Sequence, residues 1–136
     1  MTMTTLILPA ALRSQLEAEA RAAFPRECCG LIEGVREPGA VHAEALHPAA
    51  NVGAHPNEFE IDPGAHLGHI RRLRGSGREI VGCYHSHPGG QPVPSQRDRE
   101  SGSQGFVWLI AALPGAGGPV ELGAFEGAPF RPVSLT

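Results

Sequence analysis

The stretch Tyr84-His85-Ser86-His87-Pro88, followed by Gly89-Gly90-Gln91-Pro92-Val93-Pro94-Ser95 and then Asp98, constrains this chain more than any other. An apolar lead-in, Ile80-Val81-Gly82-Cys83-Tyr84, reads as a buried strand. Alternate residues of a strand share a face, so His85 and His87 project together at its end while Ser86 turns away. The Gly- and Pro-rich segment that follows is a loop, and Ser95 reads as the N-cap of a short helix. Such a helix carries Asp98 in its first turn, where the carboxylate can turn back toward the strand end. Two imidazoles and one carboxylate make a three-ligand zinc set that leaves a fourth position open for water.

The spacing of His85, His87, Ser95 and Asp98 resembles the signature of the JAMM/MPN+ metalloproteases. Those enzymes also need a glutamate upstream, and Pro25-Arg26-Glu27-Cys28-Cys29-Gly30-Leu31 supplies Glu27. The short form of that motif is most similar to the stand-alone prokaryotic members. The resemblance spans the chain from its first strand to about Phe130. It implies an α/β fold: a single mixed, curved β-sheet flanked by helices, cytidine-deaminase-like. It further implies one zinc per chain held by His85, His87 and Asp98. Glu27 would be the general base that takes a proton from the zinc-activated water and later delivers it to the leaving amine. Ser95 would stabilise the tetrahedral intermediate. That role competes with its use as a helix cap.

The resemblance also implies a substrate: the amide bond after the C-terminal Gly-Gly of a ubiquitin-like protein. Members that cut ubiquitin chains carry a sizeable insertion after the aspartate, whereas only residues 99–105 separate Asp98 from the next strand here. A small ubiquitin-like or sulfur-carrier protein is therefore the expected partner. The rival reading is a non-catalytic MPN-type scaffold or binding module with a structural zinc. A homodimer is left open.

The rest of the composition fits one soluble domain over residues 1–136. The net charge of −3 offers no basic footprint for nucleic acid. No apolar run reaches membrane length and no signal pattern opens the chain, so a cytoplasmic protein is expected. Three cysteines, two of them adjacent, make no disulfide framework. Cys28 and Cys29 are read as packing residues, while Cys83 is left between lining the metal pocket and ligating.

In chain order, residues 4–8 read as a strand. A helix opened by Pro9 follows, with an apolar stripe of Leu12, Leu16, Ala20, Ala23 and Phe24. Residues 28–34 are a buried strand and 41–46 a half-wet one, then a loop over 47–57 and a short strand over 58–61. Asp62-Pro63 starts a second helix that runs through Leu67, Ile70 and Leu73 and stops at Gly75. His47 and His55 are expected as loop bystanders, and His66 and His69 as a solvated face. Residues 106–112 should form a central strand, with strands at 120–125 and 130–133 completing the sheet.

Overall fold

The computed structural model describes residues 4–53, 59–101, 106–115, 117–127 and 129–136. Its strands are β1 (Thr5–Ile7), β2 (Cys29–Glu37), β3 (Ala40–Ala49), β4 (Glu79–Pro88), β5 (Phe106–Leu113), β6 (Glu121–Gly127), β7 (Arg131–Pro132) and β8 (Ser134–Leu135). Its helices are α1 (Ala10–Ala23), α2 (Pro63–Leu73) and α3 (Gln96–Ser101). No helix among the described residues is long and apolar enough to cross a membrane.

The strands form one mixed sheet in the order β7-β6-β5-β4-β2-β3-β1-β8. Pairing is parallel for β4–β5, β1–β3 and β1–β8. It is antiparallel for β2–β3, β2–β4, β5–β6 and β6–β7. The register slips twice along β2, between Ile32 and Glu33 toward β4 and between Glu33 and Gly34 toward β3. Such bulges bend a strand and raise its twist. The C-terminal residues complete the curl. Val133 donates its backbone N–H to Ala124 of β6 at 2.8 Å, and Thr136 donates to Leu6 of β1 at 3.0 Å. One short tail thus ties both ends of the sheet into a nearly closed barrel. The sequence reading did not include β8, since a two-residue strand leaves no periodic signal.

The core divides by sheet face. The larger cluster packs Leu16 and Ala20 of α1 against Leu6, Ile32, Val81, Tyr84, Leu109 and others, with Leu12 and Phe24 against its rim. The expected stripe is therefore the buried face of α1. Fully burying a leucine such as Leu16 contributes about 1.5–3 kcal/mol. The smaller cluster, Leu31, Leu73, Ile80, Cys83 and Trp108, lies on the opposite face under α2.

Three expectations are corrected. β3 runs on to Ala49, so His47 is a strand residue and not a loop bystander. Beyond the three residues paired with β1, β3 is an edge, where Pro48 is tolerated. The predicted strand at 58–61 reduces to a single bridge between Asn51 and Ile61; Glu58, like His55, lies outside the described residues. Helix α2 starts as expected, with Asp62 accepting from the Gly64 N–H at 3.1 Å. The face expected in solvent, that of His66 and His69, is different. Leu67 and Ile70 are exposed, only Leu73 is buried, and His66 and His69 are half-buried.

The reason is a buried carboxylate beneath the helix. Glu33 of β2 is 4% exposed and accepts hydrogen bonds from Arg72 (2.9 Å) and Arg78 (3.0 Å), with His47 at 2.8 Å. His69 stacks on His47 at 4.4 Å and contacts Arg72 at 3.0 Å. Burial pushes the Glu33 carboxyl up, but its bonds to Arg72, His47 and Arg78 outweigh that and lower it to about 2. This polar network draws the His66–His69 side of α2 toward the sheet, with Arg72 reaching down from the helix edge, and leaves Leu67 and Ile70 in solvent.

Candidate functional site

The site begins with β4. Cys83, His85 and His87 point to the face under α2, and Tyr84 and Ser86 to the other, as period-two alternation requires. His85 is fully buried and His87 is 14% exposed at its side chain. Ser86, also fully buried, accepts the Cys28 N–H at 2.8 Å through Oγ and donates its own N–H to the Cys28 carbonyl at 3.1 Å. These bonds extend the β2–β4 register, which pairs Cys29 with His85, by one residue. Continuing the same pairing sets Glu27 opposite His87. Glu27 is 7% exposed, at the entrance to β2, and Asn51 Nδ2 donates to its backbone carbonyl at 3.1 Å.

Asp98 arrives from α3. Its backbone N–H donates to Ser95 Oγ at 3.1 Å, and the Ser95 N–H donates to Asp98 Oδ2 at 2.8 Å. This reciprocal cap turns the carboxylate back toward β4. Asp98 Oδ2 then stands 3.2 Å from the Nε2 atoms of both His85 and His87, which are 2.8 Å from each other. Ligand atoms about 2.0–2.2 Å from a tetrahedral zinc ion lie roughly 3.3–3.5 Å apart, so this triangle is slightly tighter than such an ion would set. Glu27, His85 and His87 also form a candidate metal-holding group, their ligand atoms within 4.8 Å of one another. Cys83 lies among Leu31, Leu73 and Trp108 and is outside both triangles.

The donor set suits a divalent cation. The buried charged groups at the site are Glu27 and Asp98, both acidic, beside two imidazoles. Buried carboxylates are stable only when paired or coordinating. Burial pushes the Asp98 carboxyl up, but the adjacent His85 and His87 rings and the Ser95 N–H hold it well below the usual carboxylate range. Burial depresses His85, keeping it neutral, which is the ligating form. His87 Nδ1 lies 2.9 Å from the Gln91 carbonyl; an N–H there fixes the tautomer and leaves the Nε2 lone pair for the metal position. Phe59 stacks on the His85 ring at 4.2 Å, and Trp108 meets it edge-on at 5.8 Å. Both rings restrict rotation of His85.

Glu27, His87 and Asp98 line a cleft of about 720 Å³ whose walls also include Phe59 to Ile61, Pro88, Gly90, Ser95 to Arg97 and Trp108, with His85 buried behind them. Sequence reasoning missed Phe59, Glu60, Ile61 and Trp108 as lining residues. The pairing of Cys83 with Trp108 across parallel β4 and β5 puts the indole on the histidine face, which is legible only once the strand order is known. The thiols behave as expected of packing residues. Burial pushes Cys29 up to about 12 and raises Cys28 and Cys83, so all three remain thiols near neutral pH. The expected conflict at Ser95 resolves as well. Its oxygen accepts from Asp98 as the cap, and the exposed hydroxyl keeps its own proton to donate.

The fold has counterparts among known proteins. The family model described as prokaryotic homologs of the JAB domain matches residues 9–122. The desampylase of Haloferax volcanii is 35% identical over 141 aligned positions, covering 99% of this chain and 98% of that protein. The CysO-cysteine peptidase of Mycobacterium tuberculosis is 30% identical over 97 residues, 71% of this chain and 65% of that one. Among solved structures, a protein of Desulfitobacterium hafniense superposes with a TM-score of 0.80 at 26% identity, over 96% of this chain and 92% of that one. The chain belongs to the prokaryotic JAB-domain family.

Proposed function

We propose that this chain is a zinc-dependent peptidase that hydrolyses the amide bond after the C-terminal Gly-Gly of a small ubiquitin-like or sulfur-carrier protein. The observation that carries the reading is the convergence of His85, His87 and Asp98 on one point, with buried Glu27 beside it and the Ser95 hydroxyl on the same cleft. One zinc ion held by His85, His87 and Asp98 would supply Lewis acidity, acidifying a water and polarising the scissile carbonyl.

The protein's own groups do the rest. Glu27 accepts the proton of the attacking water. The water oxygen bonds to the carbonyl carbon, the C–N bond breaks, and Glu27 passes the proton to the departing nitrogen. Ser95 donates to the oxygen on which negative charge develops; losing such a donor costs on the order of 10²-fold or more. Phe59 and Trp108 line the cleft and set apolar rings beside the reacting groups.

The names of the relatives, a desampylase and a CysO-cysteine peptidase, support a ubiquitin-like or sulfur-carrier substrate. The cleft supports a thin extended tail, and two glycines give the thinnest backbone available. The test is mass spectrometry of zinc-loaded protein with a small ubiquitin-like carrier extended by one residue beyond Gly-Gly. Cleavage after the second glycine is expected, and its replacement by leucine should abolish cutting. Equal cutting of the leucine variant would contradict the tail reading.

A further inference from the structure

Glu27 and the wall over His85 are joined by a single side chain, that of Asn51. Continuing the β2–β3 register, which pairs Cys29 with Ala49, sets position 51 opposite Glu27. β3 has ended by then, and the Asn51 backbone bridges instead to Ile61. Its amide reaches back to β2. Asn51 Nδ2 donates to the Glu27 carbonyl at 3.1 Å, while Oδ1 accepts the Gly53 N–H at 2.9 Å and the Glu60 N–H at 3.1 Å. The Val52 N–H donates to the Glu60 carbonyl at 2.9 Å, so Glu60 is held through both its N–H and its C=O. Glu27 and Phe59 to Ile61 line the same cleft, whereas Asn51 lies outside that lining.

The side chain suits these demands closely. Two N–H groups need an acceptor with two lone pairs, and the Glu27 carbonyl needs a donor on the same short stem. Aspartate lacks the donor, leucine lacks both, and glutamine is longer by a methylene. On the other side of Glu27, Ser86 grips the N–H and the C=O of Cys28 at 2.8 and 3.1 Å. Glu27 is therefore fixed at its own carbonyl and at the residue that follows it. On the wall, Phe59 precedes the doubly held Glu60, stacks on His85 at 4.2 Å and lies edge-on to Trp108 at 5.8 Å.

Resting on the peptidase reading, we propose that Asn51 is a positioning residue that sets Glu27 and the Phe59 wall relative to each other. It acts through these two groups and touches neither the substrate nor the reacting atoms. The carboxylate of Glu27 must meet first the water and then the departing nitrogen, and a misplacement of about 1 Å costs on the order of 10²-fold in rate. The wall borders the groove that takes the tail, so the same amide bears on turnover and on tail binding.

Two variants separate the two links. Asn51→Asp keeps the acceptor for Gly53 and Glu60 but drops the donor to Glu27, and Asn51→Leu drops both. Trp108 is the single tryptophan of the chain and is buried, so its emission and its quenching by acrylamide report the wall with no substrate present. Kinetics on the Gly-Gly-extended carrier are compared per zinc-loaded chain, each variant at its own pH optimum. Asn51→Asp should keep wild-type quenching and KM with kcat lowered at least ~10-fold, the scale of one lost hydrogen bond. Asn51→Leu should lose kcat at least as far, raise KM and open Trp108 to the quencher. Should the leucine variant not fold, the fall in kcat without a change in KM in Asn51→Asp decides. Wild-type kcat and KM in both variants, with only thermal stability lowered, overturn the positioning role and leave the peptidase standing. Unchanged quenching in a folded Asn51→Leu overturns it as well. A zinc-loaded wild type that cleaves nothing overturns the peptidase reading and this role with it.

Discussion

Ser95 and Asp98 cap each other: the Asp98 N–H donates to Ser95 Oγ at 3.1 Å while Asp98 Oδ2 accepts the Ser95 N–H at 2.8 Å. The same Oδ2 faces both histidines at 3.2 Å. One short helix start therefore aims the carboxylate and holds the serine hydroxyl beside it. Ser95→Ala should lose about 1 kcal/mol of cap stability and on the order of 10²-fold in kcat, while zinc content persists through His85, His87 and Asp98. Thermal unfolding, kinetics and metal analysis on one preparation check the three parts. A serine variant with wild-type kcat would confine Ser95 to capping.

Metal loading tests the ligand assignment apart from any chemistry. Purified wild-type protein should hold close to one zinc per chain, and His85→Ala and Asp98→Ala should each lose most of it. Removing one of three protein ligands from a catalytic zinc site leaves too few to hold the ion at ordinary concentrations. If both variants keep full zinc by atomic absorption, the ligand set is wrong.

Much of this site was legible because local rules and chemistry agree there. Period-two alternation on β4 and the serine-to-aspartate cap each act over a few residues, so neither needed the rest of the fold. Glu27 was legible only through its family motif. Its burial depends on the pairing of Cys28 with Ser86 across the sheet, which no local pattern announces.

Helix α2 was misread for the opposite reason. His66 and His69, beside three arginines, suggest a solvated face, but the strand beneath offers Glu33, and its bonds with Arg72 and His47, with His69 stacked on His47, hold that side of α2 to the sheet. A lone glutamate before Gly34 gives no sign in the sequence of the arginines and histidine that will pair with it. His47 was placed in a loop because Pro48 and the following residues read as breakers, although an edge strand tolerates them.

The Glu33 network predicts acid sensitivity away from the site. A carboxyl held at about 2, against an ordinary value near 4.5, contributes stability that is fully present above about pH 4.5. It is lost as the pH falls toward 2. The full difference is on the order of 3 kcal/mol. Denaturant unfolding at pH 7 and pH 3 should show the wild type losing more stability than Glu33→Gln over that interval. Equal losses would mean the network does not hold Glu33 ionised.

The account turns on Glu27 as the group that moves the proton, and Glu27→Gln measures that directly, because glutamine keeps the size and hydrogen bonding but cannot accept a proton. Zinc content and mass-spectrometric turnover of the Gly-Gly-extended carrier should be read from the same sample. The account predicts zinc close to one per chain with turnover reduced at least ~10²-fold. Zinc retained with near-normal turnover would contradict it.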